Sequence, residues 1–250
     1  MAEGRTKRRK IPAESQAIKR PNFASGQSSY LLEMTIYVLV LVLLIAGTYS
    51  RNKVWNSEME LWADCLKKSP NKDRPHNNLG NAYARQGKYE EAITLFKEAI
   101  RINPDLAHAH NNLGDAYAHQ GRYEEAIIEL TEALRINPDS AEAHNNLGSA
   151  YAHQGRYQEA IAQFAEALDI SPGFAEVYNN LGSAYIHTGR YQEAVGRFTE
   201  ALQINSNYAE AHYNLAIAYL RMGDRDSALK EYEILKKMNP DLAERLLRKD

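Results

Sequence analysis

Histidines recur at two fixed positions in the C-terminal two thirds of the chain. One set is His76, His110, His144 and His212, and the other is His119, His153 and His187. Imidazole is a common metal ligand, so regular spacing raises the question of a metal site. Neighbours within each set are 34 residues, or a multiple of 34, apart. Packed helical units would hold them about 8–10 Å apart, too far for ligands that each lie about 2 Å from one ion. We therefore predict no metal site and no cofactor.

Asparagine recurs with the same period, and we call this set the asparagine row: Asn78, Asn112, Asn146, Asn180 and Asn214. Asparagine is a middling helix former, so helix propensity does not explain the repetition. Its amide is both a donor and an acceptor, which suits contacts with the backbone of a peptide. The row predicts peptide binding. The alternative is a consensus residue that is repeated without a binding role.

The chain offers little for catalysis. An enzyme needs a nucleophile, paired acids or a phosphate-binding loop, and such groups should interrupt a repeating pattern. Ser149 and Ser183 follow the 34-residue register instead, and Gly-x-Gly clusters are absent from the sequence. Cys65 is the only cysteine, which excludes an internal disulfide and a cysteine-based zinc site. We therefore predict a protein that is not an enzyme.

Charge is distributed unevenly along the chain. Residues 1–30 contain seven Lys and Arg and two acidic residues, whereas residues 73–250 contain eighteen Lys and Arg and twenty-six acidic residues. Proteins bind nucleic acid largely by neutralising phosphates with Lys and Arg. The acidic C-terminal part therefore argues against a nucleic-acid ligand.

The 34-residue period continues without insertion from Asp73 onward. Five units follow from it: 73–106, 107–140, 141–174, 175–208 and 209–242. Places are counted below from the first residue of each unit, so the asparagine row occupies the sixth place. Loops of constant length indicate that every unit has the same geometry.

The residues that recur resemble the tetratricopeptide-repeat (TPR) pattern of Leu-Gly, Tyr, Ala, Phe and Pro. The pattern consists of Leu79, Leu113, Leu147, Leu181 and Leu215; Gly80, Gly114, Gly148 and Gly182; Tyr83, Tyr117, Tyr151, Tyr185 and Tyr219; Ala92, Ala126, Ala160, Ala194 and Ala228; Phe96, Leu130, Phe164, Phe198 and Tyr232; and Pro104, Pro138, Pro172 and Pro240. Ala216 replaces the fifth glycine and Ser206 replaces one proline. The resemblance implies an all-α solenoid of five helix-turn-helix repeats.

Each recurring place has a physical reason. Leu79 lies four residues before Tyr83, so both share the buried face of the first helix. Gly80 is small because two helices approach closely at that level. Gly87 and its equivalents supply the left-handed conformation at the end of the first helix, and Pro104 and its equivalents end the second.

The resemblance also implies that the first helices line a concave groove, with the asparagine row inside it. A similar row occurs in the superhelical TPR arrays of O-linked N-acetylglucosamine transferases. The second place of the units holds Arg74, His108, Glu142, Glu176 and Glu210. TPR modules that clamp a terminal carboxylate use Lys and Arg, whereas Glu142, Glu176 and Glu210 would repel one. We expect a groove that binds an extended peptide and prefers basic side chains toward the C-terminal repeats.

The array is extended at both ends. Trp62 and Cys65 fit the register before the first unit, which predicts a degenerate half-repeat helix at 54–72. Cys65 is expected to be a small buried residue, with an intermolecular disulfide as the alternative. Residues 243–250 predict a C-terminal capping helix.

An apolar segment precedes the array. Residues 31–50 contain an uncharged run from Met34 to Tyr49, just long enough to predict a single transmembrane helix. The basic tail 1–30, expected to be disordered, would stay in the cytoplasm by the positive-inside rule, with the repeats in the periplasm or a lumen. A cleaved secretory signal and a buried core helix are the alternatives.

The stretch from Thr48 to Gly80 is similar to the junction between the last membrane helix and the TPR tail of multi-spanning, mannosyltransferase-like proteins. The principal prediction is a membrane-anchored, non-enzymatic scaffold that binds a protein or peptide partner. An accessory or tail-only relative of an O-mannosyltransferase-like glycosyltransferase system is the alternative. The oligomeric state does not follow from the sequence.

Overall fold

The computed structural model describes residues 33–47 and 57–247. Every regular element within these two ranges is a helix, and neither contains a strand. The helices are α1 (33–47), α2 (Glu58–Lys68), α3 (Asp73–Ala84), α4 (Tyr89–Ile102), α5 (Ala107–His119), α6 (Tyr123–Ile136), α7 (Ala141–His153), α8 (Tyr157–Ile170), α9 (Ala175–His187), α10 (Tyr191–Ile204), α11 (Ala209–Met222), α12 (Arg225–Met238) and α13 (Pro240–Leu247).

Helix α1 corrects the prediction of a membrane span. None of the helices within 33–47 and 57–247 is both long and apolar enough to span a bilayer. The predicted single-pass topology, with a cytoplasmic N-terminus and the repeats in the periplasm or a lumen, is therefore wrong. The tail 1–30 and residues 31, 32 and 48–50 of the predicted span lie outside the described residues.

Each unit from 73 onward contains two helices joined by a turn at a glycine. These glycines have positive φ angles: Gly87 (73°), Gly121 (74°), Gly155 (75°), Gly189 (76°) and Gly223 (81°). In the first unit the Gly87 N–H donates to the Ala84 carbonyl over 2.8 Å, and the Lys88 N–H donates to the Tyr83 carbonyl over 3.1 Å. The predicted left-handed turn is confirmed, and it favours glycine because a Cβ atom is strained in this conformation.

The core of each hairpin lies where a small residue of the first helix meets a large one of the second. Phe164 is 1% exposed and covers Gly148, and a Cβ atom added to Gly148 would lie 2.7 Å from Phe164 Cε1. Gly80 and Gly182 have the same relation to Phe96 and Phe198, and Gly114 has it to Leu130. The predicted close approach at this level is confirmed.

The second helices end two residues before the proline place. Helices α4, α6 and α8 end at Ile102, Ile136 and Ile170, each followed by a residue with φ near −135°. Helix α10 ends in the same way at Ile204 although Ser206 holds the proline place. Proline therefore reinforces this helix end but is not required for it.

Contacts between units define an inner and an outer row of helices. First helices of successive units touch one another, as α5 touches α7 and α9 touches α11, whereas no such contact joins the second helices within 57–247. The first helices therefore form the inner row of a curved stack. At its ends, α2 packs on α3 and α13 packs on α11 and α12, where α13 buries Ala243 and Leu246. Cys65 in α2 is half-buried.

Candidate functional site

The asparagine row lies on the inner helices and takes part in contacts between units. In four units its Nδ2 atom donates to the Oδ1 atom of the fifth-place asparagine in the preceding unit. The pairs are Asn112 to Asn77 (3.0 Å), Asn146 to Asn111 (3.1 Å), Asn180 to Asn145 (3.0 Å) and Asn214 to Asn179 (2.9 Å). The fifth-place partners are buried, whereas the row itself is half-buried. Asn78 accepts from Asn77 instead (3.3 Å).

This pairing leaves part of each amide available to a ligand. An asparagine amide has two donor hydrogens and an acceptor oxygen, and one hydrogen suffices for the contact between units. No donor within residues 57–247 bonds the Oδ1 atom of Asn112, Asn146 or Asn180. Sequence reasoning identified the row but missed its pairing; the signal is that asparagine also holds the fifth place in four of the five units, with Tyr213 in the last.

Three clefts follow one another along the inner row, and we number them from the N-terminal side. Each is lined by one residue of the sixth place and two residues each of the ninth and thirteenth places, from two neighbouring units. Glu142 and Glu176 add a residue of the next unit to clefts 1 and 2. Cleft 1 includes Asn81, Asn112, Asp115 and Glu142; cleft 2 includes Asp115, Asn146, Ser149 and Glu176; cleft 3 includes Ser149, Asn180, Ser183 and Tyr157. The clefts thus bring together three members of the asparagine row and two of the predicted glutamates.

The three predicted glutamates are exposed at the starts of α7, α9 and α11. Glu142 accepts a hydrogen bond from Asn111 Nδ2 over 3.1 Å and lines cleft 1. Glu176 lines cleft 2, whereas Glu210 lines none of the three clefts. The carboxylates of the clefts therefore lie toward the middle of the array.

Histidines of the thirteenth place form stacked pairs with tyrosines of the preceding unit. The ring centroids are 4.8 Å apart for Tyr89 and His119, 4.9 Å for Tyr123 and His153, and 4.5 Å for Tyr157 and His187. The planes in each pair are within 11° of parallel. These imidazoles line the clefts. Sequence reasoning weighed them as metal ligands and as a pH-sensitive feature of the groove but not as stacking partners, and the constant spacing of 30 residues from tyrosine to histidine is the signal it missed.

Three fourth-place histidines, His110, His144 and His212, contact the second helix of their own unit, and His110 and His212 are buried. His110 contacts Glu129 Oε2 through Nδ1 (2.7 Å) and the Pro104 carbonyl through Nε2 (3.0 Å). The hydrogen bond with Glu129 raises the pKa of His110 above its ordinary value, although burial opposes the rise. No three His, Cys, Asp or Glu side chains in the described part of the chain are grouped closely enough to bind a metal ion.

Asp115 is a groove residue that sequence reasoning did not single out. It holds the ninth place and lines both cleft 1 and cleft 2. Burial raises the pKa of its carboxyl group, with a further contribution from the Glu142 charge, whereas nearby His119 lowers it. His119 Nε2 lies 3.7 Å from Asp115 Oδ2. The signal in the sequence is that the ninth place otherwise holds only uncharged residues: Asn81, Ser149, Ser183 and Ile217.

Comparison with solved structures finds several helical-repeat proteins of the same fold. MamA is 25% identical, with 66% of this chain and 97% of that chain covered and a TM-score of 0.60. YrrB is 20% identical, with 76% and 99% covered and a TM-score of 0.60. TTC0263 of Thermus thermophilus is 24% identical, with 70% and 97% covered and a TM-score of 0.60.

Sequence comparison gives a consistent result. No curated protein matches the chain. Neither these comparisons nor the solved structures support the predicted resemblance of the junction to mannosyltransferase-like proteins. Three family models, each described as a tetratricopeptide repeat, match residues 77–141, 139–206 and 187–249. Together with the helix-turn-helix stack and its left-handed glycine turns, these matches show that the chain belongs to the tetratricopeptide-repeat family.

Proposed function

We propose that the protein is a non-enzymatic scaffold that binds an extended segment of a partner protein along clefts 1 to 3. The fold is typical of protein-protein interaction, and TPR proteins are generally scaffolds rather than enzymes. The observation that carries the proposal is the alignment of the three clefts along the inner helices, with the asparagine row running through all of them.

The spacing of the row suits an extended chain. Packed helices are about 8–10 Å apart, and an extended chain advances about 3.3–3.6 Å per residue, so about three ligand residues correspond to one repeat. The Oδ1 atoms of Asn112, Asn146 and Asn180 accept no hydrogen bond from the described residues and offer acceptors for ligand N–H groups. Contacts of this kind recognise the backbone and leave selectivity to the surrounding side chains.

The solved structure of YrrB is described as that of a TPR protein with an unusual peptide-binding site. It shares the fold of this chain, which supports the idea that such a stack can bind a peptide. Peptide recognition by backbone hydrogen bonds, with pockets for side chains, is a general mode of protein interaction.

The test compares two triple variants of the full chain. Changing Asn112, Asn146 and Asn180 to Ala removes the groove amides and three hydrogen bonds between units. The control changes their partners, Asn77, Asn111 and Asn145, to Ala, which removes the same three bonds while the amides of Asn112, Asn146 and Asn180 remain. It also removes the bonds of Asn77 with Asn78 and of Asn111 with Glu142, and one side chain from the lining of cleft 2. Circular dichroism establishes that both variants are folded.

The probe is a random library of acetylated and amidated dodecapeptides. We expect the wild type and the control to select the same peptides and the groove variant to lose them, with affinity measured by fluorescence polarisation. Equal binding by both triple variants would place the interaction elsewhere on the molecule. Failure of the wild type to select any peptide would refute the proposal.

A further inference from the structure

Asp115 differs from the other ninth-place residues in charge and in surroundings. It is half-buried between clefts 1 and 2, and no donor in the described part of the chain makes a hydrogen bond to its carboxylate. The nearest cationic candidate is His119, whose Nε2 atom at 3.7 Å is beyond hydrogen-bond distance. A carboxylate that has lost part of its hydration and accepts no hydrogen bond favours a cationic ligand.

The neighbouring charges reinforce this preference. Glu142 lines cleft 1 and Glu176 lines cleft 2, so Asp115 lies between two further carboxylates. Arg85 is the one Lys or Arg among the residues that line these two clefts, and it pairs with Glu58 on α2. Neither cleft therefore supplies a free Lys or Arg to neutralise Asp115.

An aromatic surface adjoins the carboxylate. The ring of His119 is stacked on Tyr89 at 4.8 Å, and the same imidazole lies 3.7 Å from Asp115. A guanidinium group is planar, binds a carboxylate through two N–H groups and stacks on aromatic rings. A lysine ammonium lacks the planar shape and the paired donors, so the combination fits arginine better.

We propose that Asp115 is the specificity-determining residue of the groove and binds an arginine side chain of the peptide ligand beside the Tyr89 and His119 rings. The proposal rests on the proposed peptide-binding function and adds the chemistry of one ligand residue. The main preference for a basic ligand side chain would then lie at the unit 107–140, and not in the C-terminal repeats.

Substitution by serine tests the proposal with little risk to the fold. Ser149 and Ser183 hold the equivalent place on α7 and α9. Asp115→Ser therefore gives α5 the residue that the first helices of the next two units already have at this place. The control is Asp169→Ser, which removes the same charge from an exposed position on α8 that lines none of the clefts. Thermal unfolding by circular dichroism checks both variants.

The full-length wild type and both variants are presented with the dodecapeptide library. We expect arginine to be enriched at one position by the wild type and Asp169→Ser, and not by Asp115→Ser. In a selected peptide, replacing that arginine with citrulline, which keeps the shape without the charge, should weaken binding to the wild type about tenfold, a typical effect for a hydrogen-bonded charge. Lysine should give an intermediate affinity.

A double-mutant cycle separates this inference from the function on which it rests. The citrulline substitution should have little effect on Asp115→Ser, because the two groups act as one pair. An equal loss with the wild type and with Asp115→Ser would overturn the assignment. Selection of peptides without any arginine preference would also overturn it but leave the groove intact, whereas selection of no peptide would refute the groove itself.

Discussion

The unit at 141–174 and the unit at 209–242 have the same two-helix fold but differ where the two helices meet. In the former, Gly148 lies beneath Phe164, which is 1% exposed. In the latter, Ala216 is fully buried and Tyr232 is only half-buried. Phe164 therefore packs closely on the first helix of its unit, where the facing residue is a glycine. Tyr232 is more exposed, and the residue that faces it, Ala216, has one more methyl group.

The inner faces of the two units also differ, in the residues at the fifth, ninth and thirteenth places. The unit at 141–174 carries Asn145, Ser149 and His153 in the fifth, ninth and thirteenth places, and all three line clefts. The unit at 209–242 carries Tyr213, Ile217 and Arg221 there, and α13 packs against its first helix. The internal units thus combine tight hairpins with a polar inner face, whereas the last unit closes the array.

The largest expected effect tests the core that both units share. Leu147 and Leu215 are each 4% exposed, so Leu147→Ala and Leu215→Ala remove the same buried surface. Each should lower the free energy of unfolding by about 2–5 kcal/mol through lost burial and a cavity. Urea unfolding followed by circular dichroism measures the loss. A loss below about 1 kcal/mol for Leu147→Ala would contradict its assignment to the core.

The next prediction concerns the difference between the units directly. Gly148→Ala adds a methyl group 2.7 Å from Phe164 Cε1 and should cost about 1–3 kcal/mol from overpacking, offset in part by the better helix propensity of alanine. Ala216→Gly at the equivalent place should also destabilise, by about 1 kcal/mol, because glycine is a poor helix former. Opposite substitutions would then both be unfavourable. Stabilisation by Gly148→Ala would show that Phe164 moves aside without cost.

A pH-dependent difference is expected between two internal units. His110 contacts a carboxylate and a carbonyl, two groups that only accept, so the protonated ring, in which both nitrogens donate, satisfies both contacts. His144 makes the same contacts with Gln163 (2.8 Å) and the Pro138 carbonyl (3.0 Å), and a glutamine amide can also donate to a neutral ring. The Glu129 hydrogen bond raises the pKa of His110, and Glu132 contributes to the rise.

The sign follows from this raised pKa. The contribution of the pair to stability is fully present below the pKa of an unfolded histidine, near about 6.5, and is lost as the pH rises through the higher folded value. Glu129→Gln makes this unit resemble its neighbour and should remove on the order of 1 kcal/mol at about pH 6, but little at about pH 9. Urea unfolding across this range measures it. A difference between wild type and variant that does not change with pH would contradict the ion pair.

The 34-residue period predicted the stack of two-helix units because the spacing of apolar residues shows which face of each helix is buried. The left-handed glycine turns and the Gly148–Phe164 contact follow from the type of residue at a fixed place. The Asn146–Asn111 bond and the Tyr123–His153 stack join different units, and their existence depends on the rotation between units, which spacing does not specify. The wrong prediction of a membrane span rested on apolar composition alone, whereas no helix among the described residues is both long and apolar enough to span a bilayer.

The smallest expected effect concerns the junction before the last unit. Helix α10 ends at Ile204 without a proline, and Ser206 occupies the place held by Pro104, Pro138 and Pro172 at the other junctions. The backbone after α10 has the same extended conformation as after α4, and the Ser206 N–H donates to no backbone carbonyl in the described range. Ser206→Pro should therefore fit without loss of a hydrogen bond. It should raise the free energy of unfolding by about 0.4–1 kcal/mol, because proline restricts the unfolded chain. Pro172→Ser at the preceding junction should lower it by a similar amount, and differential scanning calorimetry of both variants measures the two shifts. Destabilisation by Ser206→Pro would mean that the junction with the last unit has a different geometry, and the contrast between internal and terminal units would then extend to the connection between them.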